Sequence, residues 1–190
     1  MPRSKIGRET LCSNTKGKVV EGRPGLYSGG KLVKSWKQLL ADGDIGISLA
    51  GALECSKNLS GVLIMDNIEG LHSLRTGFYT CKHLEEIDLS KVNTSNVTDM
   101  KQMFSGCNNL ASLGLSNFNT SKVELIDGMF QGCSSLEHLD ISGFDFSNIS
   151  QGKTSAFEGV PTNCEVLVKD EIAMNWIATN APQMTNVRIK

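Results

Sequence analysis

The sequence predicts an α/β-type solenoid, a short right-handed leucine-rich-repeat stack with one parallel sheet, and three observations carry that prediction. Residues 71–96, 97–122 and 123–148 align without a gap in a 26-residue period. Like residues then fall in register: Phe78, Phe104 and Phe130; Cys81, Cys107 and Cys133; Leu84, Leu110 and Leu136; Ile87, Leu113 and Leu139; Leu89, Leu115 and Ile141. Finally, each unit carries a run of the type L-x-x-L-x-L. A period of roughly 20–29 residues with that run marks leucine-rich repeats, in which every unit adds one strand to a shared sheet.

Length and composition set the bounds. The 190 residues, 39% hydrophobic and with a formal charge of −1, suit one folded domain. No apolar run approaches the roughly 18–20 residues of a membrane helix. The first residues lack the apolar core of a signal peptide. Charge is unevenly spread: residues 1–37 hold nine Lys/Arg against Glu9 and Glu21, a net of +7, and the rest of the chain carries −8.

Residues 1–22 show no sustained period and read as an extended basic arm, with Arg3, Lys5, Arg8, Lys16 and Lys18 as anchoring candidates. Residues 23–58 read as the N-terminal cap. In it, Leu26-Tyr27 and Leu32-Val33 form a hairpin around Ser28-Gly29-Gly30. A helix is expected next, with Ser35 as N-cap, Trp36, Leu39 and Leu40 on one face and Gly43 at its end. Such a cap is needed because a stack exposes its apolar core at each end. Gly25 and Gly30-Lys31 approach a phosphate-binding loop, but Leu32 stands where the magnesium-binding hydroxyl belongs and no buried strand precedes it. Nucleotide binding is set aside, and no cofactor is expected.

Residues 59–163 hold the repeats. Leu59, Val62 and Ile64 precede Leu84, Ile87 and Leu89 at a spacing one short of the full period, which makes Gly61–Met65 the first ladder strand with Leu63 and Met65 on its outer face. Phe157 follows Phe130 one position later than the period requires, an insertion tolerable only outside the strand. Cys55, Cys81, Cys107 and Cys133 form a column, read as buried thiols filling a tight corner and not as disulfides or a metal cage. Asn93-Thr94-Ser95 and Asn119-Thr120-Ser121 fall at the turns, where side-chain turn chemistry accounts for them. Residues 164–190 form the C-terminal cap: a strand around Val166 and Val168, a helix capped by Asp170 and bearing Trp176, an end at Asn180-Ala181-Pro182, and a last strand with Val187 and Ile189.

If Ile87 and Leu89 point inward, Glu86, Asp88 and Ser90 point out. The same alternation exposes Ser112, Gly114 and Ser116, then His138, Asp140 and Ser142, with Glu165, Leu167 and Lys169 completing the rows. The middle of this face is expected to be acidic. Glu86, Asp88, His138 and Asp140 are the candidate ligand-binding residues. Five strands give a face roughly 20 Å long and about 300 Å² in area, against about 800 Å² per partner in a stable interface. A single copy should therefore bind weakly, and useful affinity should come from many copies held together.

The segments LEEIDLSKVNTSNVTDMKQMFSGC and LASLGLSNFNTSKVELIDGMFQGC closely resemble the BspA-like leucine-rich repeats, the mycoplasma-lipoprotein-type repeat of bacterial surface proteins. Residues 71–150 match the motif, with Val92 in place of its usual aromatic. The closing VLVKDEIAMNWIATNAP and the earlier GLYSGGKLVKSWKQLLADG resemble segments that flank such repeats. The resemblance implies a non-enzymatic recognition or adhesion module, displayed on a bacterial cell or a phage particle, with protein or glycan ligands on a host surface. It departs from surface members in showing no export signal or anchor; this and the basic arm favour the alternative version, a virion decoration protein fastened through residues 1–25 to a larger array, whereas the frequency of surface proteins in the family favours the bacterial cell. Hydrolase signatures of the G-x-S-x-G and H-E-x-x-H types do not occur, so no enzyme is expected. Nucleic-acid binding through the arm is the weakest of the three readings.

Overall fold

The computed structural model describes residues 25–28, 31–35, 61–65, 67–150 and 154–190. In chain order the strands are β1 (Gly25–Ser28), β2 (Lys31–Ser35), β3 (Gly61–Ile64), β4 (Leu84–Asp88), β5 (Ser112–Gly114), β6 (His138–Asp140) and β7 (Glu165–Val168); helix α1 (Glu171–Asn180) and β8 (Asn186–Ile189) follow. The arm residues Arg3, Lys5, Arg8, Lys16 and Lys18, the body of the expected cap helix with Trp36, and Cys55 lie outside the described residues.

Each unit lies on the next along two edges. Away from the strands, amides of one unit donate to carbonyls of the following one: Leu74 to Asp99, Phe78 to Met103, Met100 to Leu125 and Phe104 to Met129, at 2.8–2.9 Å. At the strand edge, β5, β6, β7 and β8 pair in parallel, with Leu113, Leu139, Val166 and Val187 in one row. The constant period therefore returns each side chain above its counterpart. Phe78 stacks on Phe104 at 5.3 Å and Phe104 on Phe130 at 5.9 Å, and Phe157 continues the column at 5.4 Å. A second aromatic column runs through Phe118, Phe144 and Phe146 to Trp176. Cys81, Cys107 and Cys133 are buried and in no disulfide; the thiols of Cys107 and Cys133 donate to the carbonyls of Phe78 and Phe104 at 3.2 Å.

Turns are fixed by the polar residues of the repeat. The buried Thr94 hydroxyl donates to the Asn119 carbonyl and accepts from the Asn119 amide, and Thr120 does the same with Asp145. Asn93, Asn119 and Asp145 each accept from the amide two positions on, closing Asx turns. The sequon-like triplets are thus built into the stack. The one-residue insertion in the last unit falls between Ser150, whose amide still reaches Glu124 at the earlier spacing, and Ala156, whose carbonyl receives the Phe130 amide one position late.

Three expectations need correction. The hairpin extends further than expected, with Gly25 opposite Ser35, the last residue of β2; the helix that Ser35 is expected to cap lies outside the described residues. The strands form two four-stranded sheets, β2-β1-β3-β4 and β5-β6-β7-β8, not one. The first is mixed because the antiparallel hairpin joins it; the second is parallel. Asn117 places its side chain between the first two units, where its amide reaches the carbonyls of Leu89, Ser90 and Val92 at 3.0–3.4 Å. One period later stands Gly143, where a Cβ would lie 2.4 Å from the Ser116 carbonyl oxygen, and at that junction the β5–β6 ladder forms. β3 also sits one position out of the expected register: Leu63, not Val62, pairs with Ile87, after a shift between Gly61 and Val62. Slipping by one exchanges the two faces of a strand, so Met65 is fully buried instead of exposed.

The C-terminal cap follows the sequence. Asp170 accepts the Ala173 amide at 2.8 Å and caps α1. Ala173 and Ile177 face the core, and Ala181 ends the helix on the Ile177 carbonyl.

Candidate functional site

The strands of the second sheet alternate inward and outward residues, and this alternation sets the site. Leu113, Leu139 and Val166 are buried, so their neighbours stand on the outer face. Strand register assembles two outer rows. One runs Ser112, His138, Glu165, Asn186; the other runs Gly114, Asp140, Leu167, Arg188.

Charge on these rows alternates. Glu165 accepts from His138 Nδ1 on one oxygen and from Arg188 Nη1 on the other, each at 3.2 Å. Lys190 Nζ lies 2.6 Å from Asp140 Oδ2. Burial opposes ionisation of Asp140, but the Lys190 ammonium and the hydroxyl and amide of Ser142 outweigh it and hold the carboxyl below its usual value. Asp88 is also held low, chiefly by the Ser90 amide and hydroxyl. Exposed pairs of this kind contribute about 0–1 kcal/mol; they fix the polarity of the face more than its stability. The expected acidity is offset on the second sheet, where Arg188 and Lys190 from the last residues pair with Glu165 and Asp140.

The four candidate residues do not form one cluster. His138 and Asp140 share β6, on the same face, whereas Glu86 and Asp88 lie on β4 in the other sheet. Sequence reading misses Arg188 and Lys190. The signal for them is the alternation of Val187 and Ile189 with charged neighbours at the end of the chain, which puts Arg188 in the row of Asp140. Beside the face, a polar cleft of about 460 Å³ is lined by Ser134, Glu137, His138, Asn163, Glu165 and Asn186. This arrangement offers donors and acceptors of both signs on a flat, rigid support, suited to a polar ligand lying across the strands. Among the described residues, no group of three or more His, Cys, Asp or Glu is placed to hold a metal ion. Nor is any helix among them long and apolar enough to cross a membrane.

No curated protein and no solved structure matches the chain. The family described as "Mycoplasma protein of unknown function, DUF285" matches residues 72–187, from the first full repeat into the last strand. That span covers more than half of the sequence, and the chain belongs to the DUF285 family.

Proposed function

We propose that the chain is a BspA-like leucine-rich-repeat solenoid that acts as a non-enzymatic recognition or adhesion module displayed on a surface. Its ligands are polar groups of host proteins or glycans, bound weakly by the outer face of the parallel sheet and strongly only when many copies are presented together. The observation that carries this reading is the pair of mixed-charge rows on β5–β8, held rigid from beneath by the buried row Leu113, Leu139 and Val166. Four strands make a face roughly 14 Å across and on the order of 200 Å² in area, well below the about 800 Å² per partner of a stable interface, which supports multivalency as the source of affinity.

The test compares the biotinylated monomer with its streptavidin tetramer on arrays of host-surface glycans and extracellular-matrix proteins. The tetramer is expected to bind at least about 100-fold more tightly, and Arg188→Glu to lose binding without a change in melting temperature. A tetramer that binds none of these probes, or an unaffected variant, contradicts the reading. The charge asymmetry between residues 1–37 and the rest of the chain supports a second version, in which the same module decorates a phage particle through its basic arm. Deleting residues 1–22 should then abolish incorporation into particles while sparing the fold; continued incorporation removes this version.

A further inference from the structure

We propose that a groove at the C-terminal end of the stack is the docking site for the basic N-terminal stretch of a second copy of this chain. The groove has a volume of about 550 Å³. Phe146 and Trp176 form its floor, stacked at 4.3 Å. Ile172, one turn before Trp176 on α1, leaves 78% of its surface in solvent, the most exposed large hydrophobic side chain among the described residues. Ile172, Trp176 and Thr179 share one face of the helix and all line the groove. The groove sets the apolar strip of Ile172 and Trp176 within a polar frame of Asp145, Lys169, Asp170 and Asn180, and its volume lies in the range of pockets that take a small ligand, roughly 300–1,000 Å³.

The rim selects the occupant. Asp145 and Asp170 face a single cation among the groove residues, Lys169, which lies 3.7 Å from Asp170. Asp145 is held below its usual value by the amide and hydroxyl of Ser147, so the rim stays negative. An apolar floor with an acidic rim fits a peptide that alternates basic and apolar groups. Residues 16–20, Lys-Gly-Lys-Val-Val, have that composition, and they lie within residues 1–37, where nine basic side chains face two acidic ones. A lysine or arginine of this stretch would also gain from lying against the Trp176 ring. Groove and stretch are different surfaces, so the contact is head-to-tail and propagates instead of closing into a symmetric pair. It would hold copies of the sheet face in one array and create the multivalency that weak contacts require. The proposal goes beyond the functional reading above, because it concerns another surface and is tested by self-association, not by ligand binding.

Two measurements decide it. In sedimentation velocity the full chain is expected to grow in mass with concentration, to weaken about fivefold or more between 50 and 500 mM NaCl as the charges are screened, and to stay monomeric as Ile172→Lys. That substitution replaces an exposed side chain with a cation and should leave the circular-dichroism melt unchanged. In Trp36→Phe, which leaves Trp176 as the only tryptophan, a synthetic peptide of residues 1–22 should shift the emission saturably, and the shift should vanish when Ile172→Lys is added. Overturning outcomes are a full chain that remains monomeric, self-association unaltered by Ile172→Lys or by deletion of residues 1–22, or a groove that responds equally to a peptide with its basic residues changed to glutamate. Loss of array binding in Arg188→Glu with self-association intact separates failure of one site from failure of the other.

Discussion

Replacing Thr80 by glycine is expected to make the protein more stable, although it removes a partly buried side chain. Thr80 has φ of +57°, and the residues one, two and three units later are Gly106, Gly132 and Gly159, at +77°, +73° and +74°. The turn after each stacked phenylalanine thus requires the left-handed region, which costs an L residue about 1–2 kcal/mol and suits a β-branched one least. The Thr80 hydroxyl adds to this, being buried with no hydrogen-bond partner, at about 1–3 kcal/mol for such a group. Against these stand the greater chain entropy of glycine, about 0.5–1 kcal/mol, and the lost packing of the partly buried threonine methyl. The balance favours glycine by about 1–2 kcal/mol, which for a chain of this size raises Tm by about 3–6 °C. Thr80→Ala, which removes the hydroxyl but keeps a Cβ, should lie between wild type and Thr80→Gly. Thermal melts by circular dichroism on the three proteins test the order. A Thr80→Gly protein that melts below wild type would show that the turn does not have the shared geometry and refute the reasoning.

Other perturbations probe the rest of the stack. Phe104→Ala removes a fully buried ring stacked on both sides and should cost about 3–5 kcal/mol in urea unfolding. Gly143→Ala puts a Cβ 2.4 Å from the Ser116 oxygen and 2.7 Å from that of Phe118; loss of about 1–3 kcal/mol is expected, with hydrogen exchange faster in the Leu115 amide that joins Asp140. Asp88, Asp140 and Asp145 all have carboxyls held below the ordinary aspartate value of 3.8. Their contribution to stability is present above that value and is lost as pH falls through their lower folded values. Asp140→Asn should accordingly flatten the acid limb of a stability–pH curve and leave its alkaline side unchanged. Burial and the neighbouring thiols push Cys133 well above the usual thiol value, and burial with the Glu165 charge raises Cys164 to about 11. At pH 8 these thiols should react with a disulfide reagent only at the rate of unfolding; rapid labelling in the native state would contradict their burial.

What is legible in the sequence is whatever the repeat enforces. A constant period locates Phe78 over Phe104 and Leu113 under Leu139 without any knowledge of the turns between them, because alike residues must stack alike. The C-terminal helix is equally plain, since Asp170 and Asn180-Ala181-Pro182 are local signals that need no partner. Sequence and structure part where one residue changes a local relation. The β3 strand slips because its spacing to the next unit falls one short of the period, an ambiguity that only the irregularity after Gly61 resolves. The parting of the two sheets falls at the junction where the Asn117 side chain reaches the carbonyls of Leu89, Ser90 and Val92, a contact that looks like ordinary turn variation until those carbonyls are placed. The site is the least legible. Alternation sets His138 and Asp140 on the outer face, but the cations that pair with Glu165 and Asp140 are Arg188 and Lys190, distant in the chain and brought alongside by the last strand.

In this fold one period of the sequence becomes one layer of the stack, and a three-dimensional carbon-edited nuclear Overhauser experiment on protein labelled at its phenylalanine rings and leucine and valine methyls reads that correspondence. Cross-peaks are expected from Phe78 to Phe104 and from Phe104 to Phe130, whose ring centres lie 5.3 and 5.9 Å apart, and from the Leu113 methyls through Leu139 to Val166 along the strand row. Rings and methyls that touch only neighbours within their own unit, with no contact one period away, would contradict it.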